Sequence, residues 1–77
     1  MTTSPSGELI SAKELSRLTQ VSYAAINNYT DMGLLEVVAR KNRMRMYEAG
    51  VAKERLAKII QFISEGYTLR VIVKLLK

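Results

Sequence analysis

The chain has 77 residues and a net charge of +5, with no cysteine and no histidine. That inventory excludes disulfides, thiolate metal sites, cysteine nucleophiles and the commonest general base. The carboxylates Glu8, Glu14, Asp31, Glu36, Glu48, Glu54 and Glu65 form no pair at a catalytic or hard-metal spacing, so no enzyme, metal or cofactor is expected.

Twelve Lys and Arg against seven Asp and Glu point to a polyanionic partner, nucleic acid or an anionic membrane surface. No apolar run approaches the ~20 residues of a membrane span. Residues 1–7 are polar and small, which predicts a flexible tail without the apolar core of a secretory signal. Residues 8–77 predict one small domain. A cysteine-free chain of this kind is expected in a reducing cytosol.

Glu8-Leu9-Ile10 reads as a short extended entry. Ser11-Ala12-Lys13-Glu14 then matches a capping box, in which Ser11 accepts from the Glu14 amide and Glu14 reaches back to the Ser11 amide. Ala12, Leu15 and Leu18 follow at helical spacing and predict a first helix over residues 12–18. Thr19-Gln20-Val21 breaks the pattern. Ser22 is a second N-cap candidate, and Ala25, Ile26 and Tyr29 predict a second helix over residues 22–31, stopped by Gly33. Two short helices joined by about three residues have the spacing of a helix-turn-helix.

Val37-Val38-Ala39 has β propensity, and Arg43-Met44-Arg45-Met46 alternates with period two. A hairpin is expected, turning at Lys41-Asn42, with Met44 and Met46 inward and Arg43 and Arg45 outward. Helix returns after Glu48, where Leu56, Ile59, Ile60 and Ile63 predict an apolar face. Glu65-Gly66 ends it. Thr68 caps a last helix carrying Leu69, Ile72, Val73 and Leu76, with Val71 and Leu75 left over for an exposed side. Tyr29, Tyr47 and Tyr67 are expected to pack.

This order of elements, with Ile10-Ser11-Ala12-Lys13-Glu14-Leu15-Ser16, Val21-Ser22, Tyr29 with Gly33-Leu34-Leu35, Arg45-Met46-Tyr47 and Glu65-Gly66-Tyr67-Thr68-Leu69, resembles the DNA-binding domain of the MerR family of transcription regulators. The resemblance covers residues 9–76. It departs in three places. Gln20 stands where the family has Gly. Ala25-Ile26-Asn27-Asn28-Tyr29 replaces Thr-Leu-Arg-Tyr-Tyr, and Asn42-Arg43-Met44-Arg45 replaces Asn-Gly-Tyr-Arg.

The resemblance implies a mainly α fold, a winged helix-turn-helix with a two-stranded wing and two further helices. It also implies sequence-specific binding of double-stranded DNA by a regulator at the nucleoid, with helix 22–31 in the major groove and wing 37–47 on the backbone. The outer positions of the second helix are then Ser22, Tyr23, Ala24, Asn27 and Asn28, of which the Asn side chains suit adenine. Arg40, Lys41, Arg43 and Arg45 supply wing cations, and four phosphate contacts would contribute a salt slope of roughly −4. Lys13 and Arg17 are candidate backbone clamps. Full family members continue into a dimerising helix, which implies that the segment 69–77 faces a second copy or a further domain.

Two other readings fit the same residues. An architectural protein resembling phage excisionases shares a related winged fold. A protein-interaction module suits the uncharged second helix and the apolar last helix.

Overall fold

The computed structural model describes residues 7–76. In chain order it holds β1 (Leu9–Ser11), α1 (Ala12–Thr19), α2 (Tyr23–Asp31), β2 (Ala39–Lys41), β3 (Met44–Glu48), α3 (Ala49–Ser64) and α4 (Leu69–Leu76). Of the expected tail only Gly7 lies within the described residues, and its amide donates to Glu48 Oε2 at 2.6 Å.

Caps chosen by local chemistry set the helix ends. The Ser11 hydroxyl accepts from the Glu14 amide at 3.2 Å. The reciprocal half of the expected capping box is not made, because the Glu14 carboxylate turns to Arg17 one turn on. Ala12 and Leu15 bury their side chains, while Leu18, expected on the same face, is exposed.

Helix α1 closes at Gln20, which adopts φ 64° and donates its amide to Ser16 O at 2.9 Å. A side chain in this left-handed conformation crowds its own backbone, which is why glycine suits the position. Gln20→Gly is therefore expected to raise stability by about 1 kcal/mol, measured as a higher urea midpoint with an unchanged slope. The turn is fixed by side chains as well: Ser16 Oγ donates to Val21 O at 2.6 Å and Thr19 Oγ1 accepts from the Val21 amide at 3.3 Å.

Ser22 caps α2 by accepting from the Ala25 amide at 3.1 Å. The helix buries Ile26 and Tyr29 and ends in a Schellman motif, with Gly33 N–H on Thr30 O at 3.0 Å and Leu34 N–H on Tyr29 O at 2.8 Å. Gly33 takes φ 84° there, as the motif requires. The chain then drops Leu34 and Leu35 into the core.

The wing is not a lone ribbon. β1 joins it, giving a three-stranded antiparallel sheet in the order β1-β3-β2, with Ile10 opposite Tyr47 and Arg40 opposite Arg45. The hairpin turns at Asn42-Arg43, one residue later than expected, with φ 49° and 69°. Two successive positive φ values make the type I′ geometry that matches the strand twist. Tyr47 is fully buried against the core, and period two then puts Arg45 on the same sheet face as Tyr47. The expected facing fails at two positions: Met44 is exposed and Arg45 points to the α2 side, while Arg43 is exposed as expected and Met46 is half-buried.

Glu48 caps α3 by accepting from the Val51 amide at 3.0 Å. The buried line along α3 is Ala49, Ala52, Leu56 and Ile59, with Phe62 partly covered. Ile60 and Ile63, expected in the core, are 46% and 43% exposed. Small Ala49 and Ala52 let the helix approach α1 and β3, against which it packs, and that approach sets its rotation.

A second Schellman motif at Gly66, φ 98°, reverses the chain. The Tyr67 ring meets Phe62 edge-on at 5.6 Å across the turn, although nearly half of Tyr67 stays exposed. Thr68 Oγ1 accepts from the Val71 amide at 3.4 Å to start α4. Ile72 is fully buried, and Val71 and Leu75 are exposed as expected. Arg55 Nη1 donates to Leu76 O at 3.2 Å and ties the last turn to α3. Among the described residues the buried set contains no charged side chain.

Candidate nucleic-acid interface

One open cleft of about 210 Å³ lies between α1, the outer side of α2 and the hairpin. Lys13 reaches it from α1, Tyr23 and Asn27 from α2, and Arg40, Arg43 and Arg45 from the hairpin. Six of the ten residues singled out from the sequence therefore converge on one concavity. The sequence signals for them were separate: an outer helix position, an uncharged helix face and a run of cations.

The local folding explains the convergence. The Ser22 cap starts α2 so that Tyr23 lies in its first turn, and Asn27 follows one turn later on the same side. Ile26 and Tyr29 point the opposite way into the core. Tyr23 is 52% exposed, Asn27 half-buried, and Ala24 open to solvent. Arg40 is exposed on β2, and Arg43 sits at the hairpin tip in a backbone conformation that a side chain adopts only at a cost of about 1–2 kcal/mol.

The remaining candidates lie outside the cleft lining. The Ser22 hydroxyl is engaged by the Ala25 amide. Asn28 is exposed on α2 beyond the cleft, and Lys41 is exposed on β2 in register with Met44. Arg17 is exposed and paired with Glu14, whose hydrogen bond and charge raise the arginine's pKa, while the same contact holds the Glu14 carboxyl below its ordinary value.

Four residues were not foreseen from the sequence. Met44, Ser11 and Ala12 also line the cleft. Asp31, at the last turn of α2, takes Arg45 Nη2 at 2.9 Å and raises the arginine's pKa. The Arg43-to-Met46 alternation gave Met44 the wrong face, and the Asp31 contact spans fourteen residues that no local pattern links.

No group of three or more His, Cys, Asp or Glu among the described residues is placed to hold a metal ion. No helix among them is long and apolar enough to cross a membrane.

A helix-turn-helix with a cationic hairpin folded beside its second helix defines a winged helix-turn-helix domain. Residues 10–77 match the family described as MerR HTH family regulatory protein, and the chain belongs to that family. It is a DNA-binding domain of a transcription regulator, in a family whose work is regulation rather than catalysis. No curated protein and no solved structure matches the chain.

Proposed function

We propose that this domain recognises a specific double-stranded DNA sequence, with α2 in the major groove and the hairpin on the flanking backbone. The observation that carries this is the shared cleft: Tyr23 and Asn27 of α2 line the same concavity as Lys13, Arg40 and Arg43. One duplex can thus present base edges to the helix and phosphates to the cations. Asn27 is assigned to base reading through the N6 and N7 edge of adenine. Ala24 and Met44 offer apolar contact to a thymine methyl or a sugar, and Tyr23 offers a phenol to the backbone. Lys13, Arg40, Lys41 and Arg43 hold phosphates, with Arg17 at the margin once it releases Glu14. Asn28, beyond the cleft, has a lesser part.

The exposed pair Val71 and Leu75 on α4 supports a second element of the proposal. That face meets a second copy of the chain or a further domain, so the regulator works as a dimer on a two-fold operator. The partner is chromosomal DNA in the cytoplasm.

The test is selection of bound duplexes from a random pool at fixed salt, followed by the Asn27→Ala variant. That substitution is expected to relax preference at one base pair by about 1–3 kcal/mol, read as a redistribution of selected bases at a single position. Asn28→Ala is expected to leave the selected sequence unchanged. A titration with duplex that perturbed only α4 amides, leaving Tyr23, Asn27 and the hairpin unmoved, would overturn the assignment in favour of a protein-interaction module.

A further inference from the structure

We infer that Arg45 is a positioning residue that fixes the hairpin against the recognition helix, and that it does not itself bind phosphate. The inference deepens the DNA-reading proposal above and rests on it.

One terminal nitrogen of Arg45 is engaged and the other is buried. Nη2 donates to Asp31 Oδ1 at 2.9 Å. Nη1 is shut off from solvent, with no hydrogen-bond partner among the described residues. The side chain as a whole is 29% exposed, against 63% for Asp31. A phosphate needs an N–H it can reach: Nη1 offers none, and Nη2, with one of its two N–H bonds on Asp31, already spends its charge on a carboxylate, although the side chain borders the cleft. Arg40 and Arg43 are both exposed, and no ion pair recorded among the described residues engages either.

A second contact lies beside the first. The Thr30 hydroxyl and the Tyr47 hydroxyl are 2.7 Å apart. Consecutive residues of the last turn of α2, Thr30 and Asp31, therefore meet Tyr47 and Arg45 two apart on one face of β3. Two polar points fix both the distance and the rotation between two elements, whereas one would leave a pivot. Tyr47 anchors the inner point because it is fully buried. Arg45 fixes the outer point, nearer the hairpin tip that carries Arg43. The pair sets where the hairpin cations stand relative to Asn27.

Two opposed readings of Arg45 give opposite signs at Asp31. If Arg45 bound phosphate, Asp31 would be an anion competing with DNA, and its removal would tighten binding. If Arg45 positions the hairpin, removal of Asp31 loosens the clamp and weakens binding.

The experiment measures duplex binding by the full chain over a salt series for Asp31→Asn, Arg45→Gln and the double variant, using the duplex selected by the wild type. Asp31 is exposed, so its substitution leaves the fold in place. Each single variant is expected to bind about threefold to fivefold more weakly, the effect of losing a partly exposed pair. The double variant is expected to be no weaker than either single one, with the salt slope of all three equal to that of the wild type. Tighter binding by Asp31→Asn, or a slope reduced by about one in Arg45→Gln, overturns the inference.

Amide exchange without DNA separates failure of the clamp from failure of the DNA reading. Asp31→Asn is expected to speed exchange at β2 and β3 amides severalfold while leaving α1 unchanged. Unchanged hairpin exchange overturns the clamp whatever the duplex measurement returns. A wild type that binds no duplex but shows the accelerated exchange overturns the DNA proposal alone.

Discussion

Alanine at Arg40, Lys41 and Arg43 together is expected to lower affinity for every duplex by about 10²-fold at physiological salt. The magnitude follows from counterion release. Each phosphate contact contributes about 0.9 to the slope of log K against log salt, so three contacts contribute about 2.7. Taken from about 1 M to about 0.15 M salt, that slope is worth roughly two orders of magnitude. A salt titration by fluorescence anisotropy reads both quantities, and they must agree. The loss should be uniform between selected and scrambled duplexes, because phosphates carry no sequence. A loss confined to the selected duplex would move these residues from holding the backbone to reading bases.

The second large effect is on stability and turns on one helical position. Ile59 is fully buried in α3 and Ile60, its neighbour, is 46% exposed. Ile59→Ala is expected to cost about 2–5 kcal/mol, the transfer of the lost groups plus the cavity left behind. A domain of this size holds about 4–12 kcal/mol in total, so the variant should melt some 10–30 °C lower. Ile60→Ala, the same chemical change one residue on, is expected to cost less than about 0.5 kcal/mol. Thermal melts of the two variants side by side test the rotation of α3 directly, because the face Leu56-Ile59-Ile60-Ile63 expected from the sequence would make both costly.

That pair also shows where the sequence was legible. Ser11, Ser22 and Thr68 were readable as caps and Gly33 and Gly66 as stops because each acts within one turn of itself. The rotation of α3 was not readable. Apolar side chains cover more than one side of it, and the choice between sides falls to Ala49 and Ala52, whose small size permits close approach and leaves no mark in a hydrophobic pattern. Alternation in Arg43-Met44-Arg45-Met46 announced two faces without saying which turns inward. Tyr47 decides that, by bulk, from the end of the strand. Ile10 pairs with Tyr47 across thirty-seven residues, and three strand residues are too few to carry a period.

The interface divides the same way. Chemistry was legible as residue type, in the cations of the hairpin and the amides of α2. Geometry was not. Asn27 lines the cleft and adjacent Asn28 does not, a difference fixed by the start of α2 at Ser22. Arg45 looked like its neighbours Arg40 and Arg43 until Asp31 came within reach.

Ser11 belongs to two elements at once: it closes β1, opposite Met46, and its hydroxyl caps α1. Nothing intervenes to flex between the ribbon and the first helix. A pull on one is a pull on the other, and the domain meets its target as a fixed template with no give along that seam. Where groove spacing and template disagree, the accommodation falls to the duplex, and base steps that bend at little cost gain an advantage even where no side chain touches them.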